Sequence, residues 1–385
     1  MFRIFYAEKD ATLYESLPDY NTGLDEILEI GKRLGTDGST LQKSRSVVKF
    51  DMSEIQSALS KYSVDLNDCK FLLQLYTTTA KNLPAEYTIT ANVLAQDWIN
   101  GTGFQESNPV IGNGITWNYP ITGSMWISSS QQIQVNSSSL YISGSGKGGS
   151  WLYQSGSGVF NQSFFNQSFF SQPGLGNSED FSYRPTDLNI DVTDAVKLWI
   201  SGSGGHSIDN NGFLLRFSDS DELNDLITGY IRFFSRETHT IYVPKLTMYW
   251  DNSTFTTGSL TSVDLESYSA YTGVKPQYKD TEIAKIRLFC RDKFPRKSPT
   301  NLAPYQTVKY LPATTYYTVL DAATDEVIIP YDNIYNKVSC DSTSNFIYID
   351  MNGFMPERYY RLEFKIVDGF TEQYITDSIY FKVVR

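Results

Sequence analysis

The chain has 385 residues, enough for two or three domains whose cores need neither metal nor disulfide. Its net charge is −11, and no basic cluster is visible along the sequence. That argues against nucleic acid as a main partner, because phosphate binding needs concentrated Lys and Arg.

Aromatic residues make up 15% of the chain, which favours half-buried pleated surfaces over helices. No apolar run is long enough to span a membrane as a helix. The apolar start Phe2–Tyr6 meets Glu8, Lys9 and Asp10 too early to form a signal-peptide core. Cys69, Cys290 and Cys340 are odd in number and far apart. They read as buried free thiols, not as a disulfide framework or a zinc site, and fit assembly in a reducing compartment.

In chain order, Phe2–Tyr6, Ala11–Tyr14, Glu26–Ile30 and Ser46–Phe50 read as strands. The alternation of Phe71–Thr77 and Tyr87–Leu94 predicts sandwich strands with one wetter face. Only Asp51–Lys61 and Val192–Trp199 carry patterns suited to short helices. From about 101 to 185 the composition shifts to Gly, Ser, Asn and Gln, with the tandem pentamer Asn161–Phe165 and Asn166–Phe170. Trp117, Tyr119, Trp126, Tyr141, Trp151 and Tyr153 lie in this tract, and exposing them all would be costly. The tract is therefore expected to be an insertion that returns over the sandwich. Strand signals resume at Asp187–Val192, Gly212–Phe217, Gly229–Phe234 and Ile241–Trp250.

These patterns predict an all-β chain with a first domain over 1–251, a linker over 252–280 and a second domain over 281–385. In the second domain, Ile286–Cys290 is followed by a Pro-rich arm with Pro295, Pro299 and Pro304. Tyr316–Leu320, Glu326–Ile329, Asn345–Met351, Tyr359–Val367 and Ile379–Val384 come next. About seven short strands in that length suggest an immunoglobulin-like sandwich.

Candidate chemistry is sparse, and no residue is assigned a catalytic role. His206 and His239 lack partners at metal-ligand spacing. The stretch Gly144–Ser150 has Gly148 after Lys147, where a phosphate-binding loop needs Ser or Thr. It reads as a plain loop. Asp219, Asp221 and Asp225, with Glu222, form the best carboxylate cluster. They are candidates for a structural calcium, although the Gly and Glu of a calcium loop are missing. Phe164, Phe165, Phe169 and Phe170 are candidate interface anchors, since paired Phe in a loop either grips a neighbour or tucks back onto its own sandwich. Trp98, Trp117 and Trp151 are candidates for a sugar-stacking platform, with core packing as the competing reading.

One ordered series of short motifs runs through the first 250 residues. It comprises Asp10-Ala11-Thr12, Asn21-Thr22-Gly23, Arg45–Asp51, Asp97–Gly103, Ile115–Asn118 and Trp151. Ile190–Val196, Asn211–Leu215 and Phe234–Glu237 complete it. The series resembles the DNRLRE-type β-sandwich, a jelly-roll module of cell-surface, adhesive and bacteriophage structural proteins. Arg291–Arg296, Lys309–Pro312 and Pro356–Tyr360 resemble C-terminal domains of virion proteins of contractile-tailed cyanophages. The resemblance implies a jelly-roll-like sandwich followed by an immunoglobulin-like one, in a non-enzymatic virion component of the neck, tail, baseplate or capsid exterior. It would be assembled in the host cytoplasm, with other virion proteins as partners in a symmetric multi-copy assembly. The alternative is a glycan-binding or host-adhesion module on the virion surface. Neither reading calls for a cofactor, nucleic acid or membrane.

Overall fold

The computed structural model describes residues 1–35, 37–84, 87–129, 140–154, 166–171, 187–201, 208–376 and 379–385. The fold is all-β, as expected. It divides into two compact units, residues 5–247 and residues 1–4 with 248–385.

Strand β1 (Phe2–Tyr6) is divided between the units, its residues 2–4 falling in the second; the first unit continues with β2 (Lys9–Tyr14), β3 (Ile27–Leu34) and β4 (Leu41–Lys49). Helix α1 (Met52–Tyr62) follows, then β5 (Lys70–Leu75), β6 (Thr77–Lys81) and β7 (Tyr87–Val93). The insertion adds β8 (Leu140–Gly144), β9 (Ser150–Gln154) and β10 (Asn166–Ser171). The unit continues with β11 (Leu188–Asp191), α2 (Thr193–Ser201) and β12 (Phe213–Phe217). It closes with α3 (Asp219–Leu223), β13 (Gly229–Phe234) and β14 (Lys245–Tyr249).

One sheet runs β1-β14-β5-β11, bringing the first strand beside the last. A second runs β10-β7-β12-β4-β3-β13-β6, with β2 also paired to β4, and β8 and β9 form a separate two-stranded sheet. The stretch expected as one strand, Phe71–Thr77, is broken at Tyr76. Its first half, β5, lies in the smaller sheet and its second half, β6, in the larger, so the chain turns a corner between sheets there. Helices α1 and α2 fall where the sequence pattern put them, and α3 is a third that the pattern did not show. In α1, Asp51 caps the N-terminus by accepting from the Ser53 amide at 2.8 Å, and Ser63 ends it with a left-handed backbone at φ 54°.

The larger sheet is buried on both faces where β2, β4 and β12 adjoin, and is more open at β13 and β6. Val47 pairs with Leu214 and with Ala11, and all three join Leu13, Leu94, Trp98, Ile115, Trp117 and Trp126 in one core cluster. Because side chains alternate along a strand, Val48, Phe213 and Leu215 point to the opposite face, where they too are fully buried. The described part of the insertion therefore packs over the sandwich as a further layer. It also reaches into the sheet itself, since β10 pairs antiparallel with β7.

The second unit contains β15 (Tyr268–Thr272), β16 (Gln277–Lys279), β17 (Ile283–Asp292), β18 (Thr315–Asp321) and β19 (Val327–Ile329). Then come β20 (Ser339–Cys340), β21 (Asn345–Asp350), β22 (Tyr359–Asp368), β23 (Thr371–Ile375) and β24 (Tyr380–Val384). One sheet runs β15-β17-β21-β20 and the other β16-β24-β22-β18-β19, with β23 also on β22. With β15 and β16 as two halves of strand A, these orders are A-B-E-D and A-G-F-C-C′, the immunoglobulin arrangement. The second half of strand A pairs parallel with the last strand, β24. The Tyr360 hydroxyl, at the start of strand F, donates to the Met355 carbonyl at 3.1 Å, which is the tyrosine corner of such folds.

The expected linker at 252–280 is not one. Residues from 248 onward belong to the second unit, and β15 and β16 pair with β17 and β24. Both are short edge strands with mixed burial, so they lack the alternation that marks a strand in sequence. Residues 1–4 also belong here. Arg3 pairs with Asp350 at 2.8 Å, and Phe2 meets the Phe354 ring edge-on at 5.5 Å. All three cysteines are free and buried, as the sequence suggests, and burial pushes the Cys290 thiol up to about 12.

Candidate functional site

Most of the motif series gathers around the larger sheet, while Ile190–Val196 lies on β11 of the smaller sheet and the start of α2. Asn21 is fully buried, and its side-chain amide donates to the Asn100 carbonyl at 2.6 Å and the Ile115 carbonyl at 2.8 Å. Its oxygen accepts from the Gly103 amide at 2.7 Å and the Gly23 amide at 3.2 Å. One asparagine thus ties its own turn to two separate motifs. Gly101 is required at φ 82°, because a Cβ there would lie 2.0 Å from the Asn113 carbonyl oxygen and 2.4 Å from the Asn21 side chain. Thr22 and Thr12 exchange hydrogen bonds at 2.6 and 2.8 Å. The Asp10 carboxylate accepts from the Arg236 amide at 2.7 Å. Burial raises its pKa to about 7 against the opposing pull of that hydrogen bond. Asp97 receives Lys49 at 3.0 Å and Lys9 at 3.6 Å.

Trp98 is buried at 0% exposure and donates to the Asn211 carbonyl at 2.9 Å, while Trp117 is 6% exposed. Both are core side chains and offer no open face to a sugar. Trp151 is half-buried against the same cluster, with Arg216 over its ring at 4.2 Å and Arg45 at 5.6 Å. The expected stacking platform of Trp98, Trp117 and Trp151 is therefore corrected to core and cation–π packing.

Beneath Trp151 lies a buried charge layer that sequence reasoning missed. The Arg45 guanidinium donates to both Glu222 oxygens, at 2.8 and 2.6 Å, and to the Gly148 carbonyl at 2.7 Å. Arg216 donates to Asn92 at 2.9 Å and Asp219 at 2.7 Å, and lies 3.6 Å from Glu222. The Gly144–Ser150 loop serves this layer: the Gly148 amide donates to the Trp117 carbonyl at 2.6 Å.

The calcium candidates do not converge. Asp219 is taken by Arg216, and Asp221 accepts from the Thr88 amide at 2.8 Å. Glu222 faces Arg45, and Asp225 stays exposed. Among the described residues, no group of three or more His, Cys, Asp or Glu is placed to hold a metal ion. The acidic run instead forms α3, capped by Ser218, and directs its carboxylates to separate framework partners. Phe164, Phe165 and His206 lie outside the described residues. Phe169 and Phe170 sit on β10, in register with Ile89 and Thr88. Exposed His239 lies 3.4 Å from Glu26.

Among the described residues, an open cavity of about 540 Å³ is a candidate binding site, lined in part by Tyr14, Asp25, Glu26, Phe104, Glu106 and Arg232. Asp25 comes from the turn after the Asn21 motif and accepts from the Gln105 amide at 3.0 Å. Burial raises its pKa to about 6, and the neighbouring Glu106 adds to that. Arg232 is committed to the buried Glu29 at 2.8 Å. The mouth is thus anionic, with Phe104 standing 46% exposed beside it. No single periodicity marks these residues, because they come from the turns at 25–26 and 104–106 and from two separate strands, Tyr14 on β2 and Arg232 on β13.

No family model matches the chain, and no curated protein matches it. Among solved structures it is similar to the adhesin domain of Epf from Streptococcus pyogenes, at 6% identity with a TM-score of 0.17. That match covers 97% of this chain and 91% of the other. A likeness at that score carries no argument about fold or function.

Proposed function

We propose that this chain is a non-enzymatic structural protein of a tailed-phage virion, placed at the neck, tail, baseplate or capsid exterior and acting through protein–protein assembly. The observation that carries the reading is the use made of the motif series. Asp10, Asn21, Arg45, Asp97, Trp98, Trp117 and Asn211 are spent on joining turns, sheet and insertion. That is what a scaffold asks of its polar residues. The immunoglobulin-like second unit is a common partner-binding module, although fold analogy alone assigns no activity. Strand β10 ends the larger sheet, and among the described residues its outer edge is unpaired, a site for strand addition. Production in the host cytoplasm and incorporation into particles in many copies belong to the same proposal.

The test is immunogold labelling, with peptide mass analysis, of purified phage particles. Labelling at neck, tail or head surface is expected. Absence of both label and peptides overturns the virion reading.

A second reading, glycan binding or host adhesion, is favoured by one observation: the cavity combines carboxylates and an exposed Phe104, groups that suit a sugar. A glycan array probed with the full chain checks it. Binding lost in Phe104→Ala supports it, and an array with no signal removes it.

A further inference from the structure

The sequence as a whole is acidic, but the expectation that it holds no basic cluster is corrected in the Pro-rich arm that leaves β17 toward β18, where Arg291, Lys293, Arg296 and Lys297 lie within seven residues. Residues 291–309 contain Arg291, Lys293, Arg296, Lys297 and Lys309, with Asp292 as the sole acid. Lys309 neutralises Asp292 at 2.6 Å. Lys293, Arg296 and Lys297 are exposed, and none has a carboxylate within 4.0 Å among the described residues. The arm also shows apolar groups to solvent: Phe294 at 75%, Leu302 at 77% and Tyr305 at 55% exposure. Three prolines and a Ser298–Asn301 bridge restrict its conformations, which lowers the ordering cost of docking. Cations with aromatic and aliphatic anchors on a stiff support make a binding surface for an acidic partner.

With a net charge of −11, the chain itself is such a partner. Its most suitable acceptor is the cavity mouth, where Asp25, Glu26 and Glu106 stand beside exposed Phe104. A volume of about 540 Å³ admits a Lys or Arg side chain. We propose that the basic arm of one copy docks, through Lys293, Arg296 and Lys297, onto the Asp25–Glu26–Glu106 mouth of a second copy. The contact is head-to-tail, so each copy keeps a free arm or a free mouth, and repetition builds a ring or an open row. This inference rests on the assembly reading and names its partner.

The test is sedimentation velocity on the full chain across a concentration series, at low and at moderate salt. Concentration-dependent association is expected at low salt, weakened by about tenfold or more as salt screens the exposed charges. Arg296→Glu/Lys297→Glu should abolish it, and so should Glu26→Lys/Glu106→Lys. An equimolar mixture of the two variants should associate again, because it reunites an intact arm with an intact mouth. Circular dichroism checks that both variants, altered only at exposed positions, remain folded. A chain that stays monomeric throughout overturns the inference, while leaving particle labelling to decide the assembly reading separately. Association indifferent to both variants also overturns it. So does tighter binding of the arm to a short single-stranded DNA, read by fluorescence anisotropy.

Discussion

Arg45 and Glu222, 177 residues apart in sequence, meet as a bidentate ion pair at 2.8 and 2.6 Å on the covered face of the larger sheet. Both side chains are less than a tenth exposed. Removing one partner strands the other charge away from water. Glu222→Ala should therefore cost about 3–5 kcal/mol, whereas the double variant Arg45→Met/Glu222→Leu should cost less than that single change. Urea unfolding followed by tryptophan fluorescence checks both.

Asn21 and Gly101 hold the insertion's first turn in place. Asn21→Ala removes four hydrogen bonds and leaves their backbone partners buried, so a loss of about 2–4 kcal/mol is expected. Gly101→Ala meets the Asn113 carbonyl and should destabilise by about 2 kcal/mol or more. Hydrogen exchange at the Gly103 and Ile115 amides should accelerate in both.

Asp10 gives the fold a pH dependence of unusual sign. Its folded pKa is about 7, above the ordinary carboxylate value of 3.8. Between those values the folded chain holds a proton that the unfolded chain has released. Stability should therefore fall as pH rises from about 4 to 7. The loss is at most a few kcal/mol, since each tenfold difference in proton affinity is worth roughly 1.4 kcal/mol. Asp10→Asn should flatten that slope. A slope unchanged in the variant, measured by urea unfolding across pH, would assign the effect elsewhere.

The dispersal of Asp219, Asp221 and Asp225 among separate partners predicts no stabilisation by calcium. Millimolar Ca²⁺ and EDTA should give the same melting temperature by differential scanning calorimetry. An upward shift with Ca²⁺ would show linkage to binding.

The tandem pentamer predicts a tolerant sheet edge. Residues 161–165 repeat 166–170, which supply five of the six residues of β10. Deleting 166–170 brings an identical sequence to the same place on β7, so the melting temperature should change little. Deleting both copies should lower it. Register that is weakly specified in this way is typical of polar edge strands.

Strands are legible in the sequence wherever alternation meets burial on one face. Gly229–Phe234 is bounded correctly, and its burial alternates residue by residue. The immunoglobulin strands B and F are found for the same reason, while C and E, buried on both faces over most of their length, are found from their apolar and aromatic content. Strands β8, β9 and β10 are not, because their Gly, Ser, Asn and Gln neighbours supply too few apolar residues to show a period. Strands β15 and β16 escape because an edge half-strand need bury little. The site is harder still. Asn21 and Asp97 are visible as motif residues, but nothing in the sequence tells a turn residue from one bonding to three segments. Arg216 and Glu29 give no signal, since the sequence pattern carries no sign that a charge will be buried. The tryptophans are visible, and their destination is a choice between two readings that only burial decides.

The covered outer face of the larger sheet makes the insertion part of the fold's minimum. Without residues 101–154 the chain would present Val47 and Leu214 to water beside two arginines that had lost much of their cover. Such a surface is greasy and cationic at once, and prone to stick to itself. Composition alone would mark this tract as decoration, yet its Ile115, Trp117 and Trp126 complete the core on that face. Shuffling of this module between proteins would have to carry the low-complexity tract along.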